Sequence, residues 1–201
     1  MSAKRRMRLT GIAVVASLAV VAMLVAGCAG QTGTTAATSK KTALGSLPAA
    51  QSALSTTAPD AKLLVVQTAQ AVTPTATPVW GYLYGSPSTD KTYIVYVTEG
   101  QSMGAKEYGK AGLSADEWKL VPGTDAWKVD SDAALTKALA ASGGSGAPKA
   151  YVMGFVTYKP KTDTSTIEPF VWSVQLDPGS SGATTKPINV NATTGAATAT
   201  K

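Results

Sequence analysis

Two stretches of this chain show the same order of segments, and this order limits the available folds more than any other feature. In each stretch an alanine-rich segment precedes an Ala-Pro step, an apolar run, a proline-bearing polar loop and two strand-like segments joined by a turn. The shared landmarks, first stretch before second, are Pro59 with Pro148, Val79-Trp80 with Val171-Trp172, and Ile94 with Ile188. Short apolar strands can resemble one another by chance, but shared landmarks in one order favour a duplication. We therefore expect two repeats, each of one helix and three strands.

Local patterns indicate which segments are strands and which are helices. In residues 172–176 apolar and polar residues alternate, as in a strand with one buried face. Residues 132–141 follow the N-cap candidates Asp130 and Ser131, carry leucine and alanine at helical spacing, and end at Gly143-Gly144. Antiparallel hairpins with helices on one face make an α+β fold. We expect one or two antiparallel sheets with the helices on one face.

Composition divides the chain into five parts. They are a signal-like segment (1–27), a tether (28–45), the first α+β repeat (46–101), a connector (102–129) and the second α+β repeat (130–196). The tether is rich in Thr, Ala, Gly and Lys and has little apolar surface to offset its ordering entropy. We therefore expect it to be flexible.

The signal-like segment ends at the only cysteine of the chain. A basic stretch, an apolar run from Ile12 to Val25 and two small residues, Ala26 and Gly27, precede Cys28. This order is typical of a secretory signal peptide. The alternative, a transmembrane helix with an incidental cysteine, fits less well because the run is shorter than the ~20 residues that span a bilayer.

The five residues from Leu24 to Cys28 (Leu-Val-Ala-Gly-Cys) resemble the bacterial lipobox. This resemblance implies cleavage between Gly27 and Cys28 and attachment of a diacylglyceryl group, with acyl chains such as palmitate, to Cys28. The chain would then be lipid-anchored on the extracytoplasmic face of the cell membrane. The Arg5-Arg6 pair leaves twin-arginine export open beside the ordinary Sec route.

The residues that are missing exclude several functions. The chain has no histidine, and its only cysteine is the expected lipid site, so serine triads, Cys-His pairs and histidine-ligated zinc sites are impossible. From residue 28 onward there are 14 lysines and 12 acidic residues, a formal charge of +2, and no arginine. Bidentate arginine and dense basic patches typify sequence-specific nucleic-acid binding. We therefore expect no nucleic-acid partner.

The second stretch also resembles a family of secreted domains. The phrase WKVDSDAAL at residues 127–135, a later Val-Trp strand and the closing INVNATTG at residues 188–195 are similar to the PepSY-like family. Asn191 stands where that pattern usually has Asp. The resemblance covers residues 127–196, with a weaker echo in 47–98. It implies a helix packed on an antiparallel sheet, sometimes duplicated as in secreted inhibitors of hydrolases, and no catalytic residues.

Three motifs invite a chemical interpretation, and each has a structural alternative. Ser88 and Lys91 have the Ser-x-x-Lys spacing of penicillin-binding enzymes, but the motif lies in a proline-bearing turn and its partner motifs are absent. Asp130 and Asp132 resemble calcium ligands less than helix caps. The pair Asp116-Glu117 fits a solvated surface better than a general acid and base. We therefore assign no catalytic residue, metal site or cofactor.

Trp118 and Trp127 lie among polar residues in the connector. They are tentative partner contacts, with the alternative that they pack the connector onto the core. Our function hypothesis is a non-enzymatic module that binds an envelope protein or peptide. The alternative is a cell-envelope hydrolase or transferase that uses Ser, Lys and carboxylate groups, and a structural spacer is a third possibility.

Overall fold

The structure of this chain is a computed structural model that describes residues 40–68, 70–144, 149–160, 163–177 and 186–199. The helices are α1 (Ala43–Ser52), α2 (Ala115–Leu120) and α3 (Ser131–Ala141). The strands are β1 (Lys62–Thr68), β2 (Trp80–Ser86), β3 (Lys91–Thr98), β4 (Gln101–Lys110), β5 (Ala150–Val156), β6 (Val171–Leu176), β7 (Ile188–Asn191) and β8 (Ala197–Ala199).

These eight strands form one antiparallel sheet in the order β4-β3-β2-β1-β5-β6-β7-β8. Strands β1 and β5 pair at its centre, with Val66 opposite Phe155. The strands that follow α1 therefore occupy one half of the sheet, and those that follow α3 occupy the other. The α+β class and the antiparallel sheet are confirmed, and the sheet is continuous. Four strands rather than the expected three follow each of these helices.

The strands form where side chains alternate and where turn residues permit tight connections. In β6 the side chains of Trp172, Val174 and Leu176 are buried on one face, as the sequence predicts. The β3–β4 hairpin turns at Glu99 and Gly100, whose φ values of 52° and 73° lie in the left-handed region. A two-residue turn of this kind matches the right-handed twist of the paired strands.

Helices α1 and α3 cover one face of the sheet and form the main core with it. Leucines and alanines of both helices pack on the inward side chains of the strands. Fully buried side chains in this core include Trp80, Trp172, Tyr82 and Met153. Because the chain has no disulfide, this apolar layer is the main source of its stability.

The two helices begin side by side and share a cap. The Asp130 carboxylate accepts the backbone N–H of Ser131 in α3, at 2.6 Å, and that of Leu44 in α1, at 2.8 Å. The Ser131 hydroxyl accepts the backbone N–H of Ala43, at 3.1 Å. Two positive helix ends thus face one carboxylate, which satisfies N–H groups that have no partner within their own helices.

Two predicted boundaries need correction. The tether was expected to run to residue 45, but α1 begins at Ala43, where Thr42, Asp130 and Ser131 hold its first N–H groups. The connector was expected to begin at residue 102, but strand β4 occupies residues 101–110. Within the described part of the chain, no helix has the length and apolar character needed to cross a bilayer.

Candidate functional site

The residues singled out by sequence analysis fall into two groups. Cys28 and Gly27, the predicted lipidation and cleavage positions, lie outside the described residues. Trp118 and Trp127 lie within them and are buried, with 6% and 3% of their surface exposed. Neither ring presents a surface to a partner. Both tryptophans are packed in the interior, which corresponds to the alternative interpretation, and we do not propose them as partner contacts.

Trp127 belongs to the main core. Its ring centroid lies 4.8 Å from that of Phe155 and 5.9 Å from that of Trp172, both in edge-to-face geometry. Its indole N–H donates to the carbonyl oxygen of Val129, at 3.0 Å. Trp127 therefore fixes the segment that leads into α3 against the sheet.

Trp118 lies on α2, on the face of the sheet opposite α1 and α3. Its ring packs against Gly85 and Leu64, where a Cβ added at Gly85 would lie only 2.5 Å from the ring. The Lys62 ammonium donates to the carbonyl oxygens of Trp118 and Val121, at 2.8 and 3.2 Å. A lysine at this helix C-terminus complements the helix dipole. Helix α2 therefore covers one end of this second face of the sheet.

The Ser-x-x-Lys motif lies in the β2–β3 turn, as the sequence predicts. The Lys91 ammonium pairs with the Glu107 carboxylate on β4, at 2.8 Å, and this hydrogen bond raises the pKa of Lys91. The backbone N–H of Ser88 donates to the Asp60 carboxylate, at 2.8 Å. The Ser88 hydroxyl lies 3.2 Å from the hydroxyl of Ser86, so the two side chains of the motif contact different residues.

Asp60 ties the β2–β3 turn to the start of β1. Burial works to raise the pKa of Asp60, but the hydroxyl of Ser86 and the N–H of Ser88 donate to its carboxylate and outweigh it. The pKa of Asp60 therefore lies below its usual value. The two hydrogen bonds to Asp60 hold the β2–β3 turn against the start of β1.

The remaining acidic candidates make contacts that stabilise helix ends. Asp130 caps α1 and α3 as described, and the Asp132 carboxylate accepts the N–H of Ala133, at 2.7 Å. Glu117 forms a capping box with Ser114 at the start of α2. Among the described residues, no three or more His, Cys, Asp or Glu side chains are grouped so that they could hold a metal ion.

A cleft of about 390 Å³ lies where α1 and α3 begin, beside the loop from β1 to β2. Its lining includes Lys41, Thr42, Pro74, Ser131 and Leu135. A helix N-terminus can bind an anion through free N–H groups. Here Thr42, Asp130 and Ser131 already accept N–H groups from the first turns of the two helices. The cleft therefore offers little to an anion.

The second face of the sheet carries a different kind of surface. We call it the open face, and define it by the outward side chains of β1, β2, β3, β5, β6, β7 and β8 that α2 does not cover. Along one cross-strand row stand Ile94, Leu83, Val65 and Val156, each opposite the next and each partly exposed. The centre of the open face is thus a row of apolar side chains.

The next cross-strand row of this face consists of glycines and of residues with polar side chains. It runs across seven strands through Tyr96, Gly81, Gln67, Gly154, Ser173, Asn189 and Thr198. The Tyr96 ring lies over Gly81, where an added Cβ would be 3.3 Å from a ring carbon. Neither row, between β3 and β7, contains a Lys, Asp or Glu. The open face therefore combines an apolar centre with amide, hydroxyl and tyrosine groups.

The open face was not predicted from the sequence. The signal was present in the outward positions of the alternating strands, which carry Val, Leu, Ile and Gln rather than the charged residues typical of a solvated sheet face.

Comparison of the chain with protein-family models, curated proteins and solved structures finds no match.

Proposed function

We propose that this protein is a bacterial lipoprotein, anchored through Cys28 on the extracytoplasmic face of the cell membrane, that binds an envelope protein or peptide on its open face. The observation that carries the binding role is the uncharged row of half-exposed apolar side chains, Ile94 to Val156, on the part of the sheet face that α2 does not cover. Contiguous apolar surface rimmed by polar groups is typical of interaction sites.

The chemistry of the open face suits a polypeptide partner. Branched apolar side chains at the centre give up water on contact, while Gln67, Tyr96 and Asn189 at its margin can pair with backbone and side-chain polar groups. Depletion of charge at the centre is a property of protein interfaces. A highly charged ligand would find no counter-ion there.

The enzyme alternative needs Ser88 and Lys91 to act together. The Lys91 ammonium pairs with Glu107 and the Ser88 hydroxyl contacts Ser86, and among the described residues no hydrogen bond joins Ser88 to Lys91, which favours the binding hypothesis. The alternative remains testable with ester, peptide, glycoside and β-lactam probes. Turnover that is lost in both Ser88→Ala and Lys91→Ala would support the enzyme and overturn the binding module.

We also propose that the body is a duplication of one helix followed by four strands. Two observations support this. In each half the four strands follow one another in chain order from the centre of the sheet to its edge, and Trp80 and Trp172 lie at the start of β2 and β6. The PepSY-like resemblance of residues 127–196 stays a prediction. An experimental structure in which the halves superpose with Trp80 on Trp172 would support the duplication. A superposition of the two halves that leaves Trp80 and Trp172 at non-equivalent positions would overturn it.

Site-specific photo-crosslinking tests the open face in cells. A crosslinking amino acid at Ile94 or Val152, on either side of Gln67, should capture the same envelope polypeptide. The matched control is Lys137, which is exposed on α3 in the opposite layer, and it should capture none. Equal capture from Lys137 would contradict the assignment of the binding face.

A charge placed on the face sharpens this test. Ser173→Lys introduces an ammonium into the exposed part of the polar row, and we expect capture from Ile94 to fall about tenfold or more because an unpaired charge must lose water in the interface. Ala140→Lys, on exposed helix surface, is the control and should leave capture unchanged.

The membrane anchor is tested separately: Cys28→Ser should abolish incorporation of labelled palmitate, and retained labelling would refute it.

A further inference from the structure

Strand β4 forms one edge of the sheet and carries the two most exposed large apolar side chains in the described part of the chain. It pairs with β3 on one side only. Met103 is 59% exposed and Tyr108 is 72% exposed. Tyrosine, with an apolar ring and a polar hydroxyl, is enriched where proteins meet the interfacial region of a bilayer.

The charges along this edge are mainly positive. Lys106 and Lys110 lie on β4 and show no ion pair among the described residues, whereas Glu107 is already paired with Lys91. Lys40 extends this basic surface, because its side chain lies against Gly100 in the β3–β4 turn.

The charges of residues 90–110, together with Lys40 against the β3–β4 turn, keep a small positive balance. The basic residues are Lys40, Lys91, Lys106 and Lys110, and the acidic residues are Asp90, Glu99 and Glu107, which leaves +1. Each lysine near an anionic bilayer strengthens binding roughly fivefold.

The edge is poorly suited to pairing with another strand. Its register shifts twice against β3, once near Tyr108 and once near Met103 and Gly104. Gly104 has a φ of 83°, in the left-handed region, which interrupts the extended backbone. Bulges of this kind block the addition of a strand to a sheet edge. Strand addition therefore does not account for the exposed apolar side chains of this edge.

The proposed lipid anchor limits how far this edge can lie from the bilayer. Lys40, which contacts the turn at one end of β4, follows Cys28 by twelve residues, a distance of at most about 43 Å even when fully extended. The ten residues of β4 extend over about 33 Å. Tethering at this distance gives even a weak surface contact a high effective concentration of lipid.

We propose that the β4 edge, through Met103, Tyr108, Lys106 and Lys110, lies against the anionic lipid surface and orients the body on the membrane. This inference rests on the proposed lipid anchor at Cys28. In this orientation the sheet stands on its β4 edge, and the open face is directed sideways, where a partner in the envelope can reach it.

The test uses the lipidated protein reconstituted into vesicles. Because Cys28 is its only cysteine and carries the lipid, Met103→Cys provides a single thiol for an environment-sensitive fluorophore. Thr198→Cys, exposed on the opposite edge strand β8, is the matched control. Mass spectrometry of the N-terminal peptide and flotation with the vesicles establish the anchor independently of the fluorescence.

In vesicles of equal parts phosphatidylcholine and phosphatidylglycerol, we expect the label at position 103 to shift to shorter wavelength and the label at 198 to stay unchanged. Pure phosphatidylcholine should reduce the shift. The double variant Lys106→Gln, Lys110→Gln should weaken the surface-bound state about 25-fold, since each lysine contributes roughly fivefold. The control Lys128→Gln, Lys137→Gln removes the same charge from exposed positions elsewhere and should leave the shift intact.

Three outcomes would overturn the inference while leaving the anchor in place. They are no shift at position 103, an equal shift at position 198, and a shift that survives loss of Lys106 and Lys110. A shift that depends on protein density rather than on lipid charge would assign the edge to a second copy of the chain and also overturn it. If the protein does not float with vesicles and Cys28 carries no lipid, the proposed anchor itself fails.

Discussion

Trp80 and Trp172 contact each other across the core and make equivalent hydrogen bonds to the residues that precede two different helices. Their ring centroids are 6.1 Å apart in edge-to-face geometry. The indole N–H of Trp80 donates to the carbonyl oxygen of Lys41, the residue before the N-cap of α1, at 3.0 Å. That of Trp172 donates to Val129, the residue before the N-cap of α3, at 2.9 Å. Each tryptophan thus fixes the start of one helix to the sheet.

The two bonds differ in one respect that predicts unequal effects of the same substitution. The carbonyl oxygen of Val129 also accepts the indole N–H of Trp127, at 3.0 Å, whereas no second indole donates to Lys41. Replacing either tryptophan with Phe keeps an aromatic ring but removes the N–H. We expect Trp80→Phe to lower the free energy of unfolding by about 2 kcal/mol and Trp172→Phe by about 1 kcal/mol, because only the first leaves a carbonyl without its side-chain donor.

Urea denaturation followed by far-UV circular dichroism measures both values. The double variant should differ from the sum of the single variants, since the rings are in contact. A larger loss for Trp172→Phe than for Trp80→Phe would contradict this description of the two bonds.

Much of the fold follows from local patterns. The alternation in residues 172–176 and the capped leucine pattern of residues 132–141 correspond to β6 and α3. Strand β4 was missed because an edge strand that buries almost none of its side chains needs no apolar alternation. Its pairing depends on β3, which the polar sequence of residues 101–110 does not reveal.

The positions of the connector tryptophans depend on contacts that are remote in sequence. Trp118 is buried because Gly85 leaves room for its ring, and Trp127 because Phe155 and Trp172 lie beside it. The cap that Asp130 provides for Leu44 likewise joins residues far apart in the chain. Local composition predicts that such residues can pack or cap, but not which distant element they contact.

The Asp60 network predicts a pH-dependent contribution to stability. Because the pKa of Asp60 is lower in the folded protein than the 3.8 of a free aspartate, its contribution is present above the unfolded value and is lost as pH falls through the folded value. We expect the unfolding midpoint in urea of the wild type to exceed that of Asp60→Asn at neutral pH. This difference should shrink between roughly pH 5 and pH 2. In a Ser86→Ala background, which lacks the donated hydroxyl, the pH-dependent part should be smaller. A difference that stays constant with pH would contradict the prediction.

The packing of Trp118 over Gly85 predicts a strong coupling between these two positions. In Gly85→Ala the new Cβ would lie 2.5 Å from the ring and 2.9 Å from Leu64, so α2 must move away from the sheet. We expect a loss of about 1–3 kcal/mol in the free energy of unfolding. The control Gly109→Ala should change little, because its nearest neighbouring atom would be 3.9 Å away.

The coupling is measured with a double-mutant cycle. In a Trp118→Ala background, Gly85→Ala should cost much less than it does in the wild type, because the main clash is gone. Equal costs in the two backgrounds would show that the ring and Gly85 do not restrict each other.

Tyr82 and Tyr84 lie on the same face of β2 but differ in their hydroxyl contacts. The Tyr82 hydroxyl donates to the carbonyl oxygen of Ala43, at 2.5 Å, and so joins the sheet to the first turn of α1. The Tyr84 hydroxyl is buried and has no hydrogen-bond partner among the described residues. Burial raises the pKa of both phenols, so both stay neutral near neutral pH.

Removing the two hydroxyls should therefore change stability in opposite directions. Tyr82→Phe breaks a buried hydrogen bond and leaves the Ala43 carbonyl without this donor, and we expect a loss of about 1–2 kcal/mol in the free energy of unfolding. Tyr84→Phe removes a polar group that the core does not satisfy, and we expect a gain of about 1 kcal/mol. Urea denaturation of both variants beside the wild type at neutral pH measures the two values. Changes of the same sign would show that the two hydroxyls have the same environment, contrary to the structure.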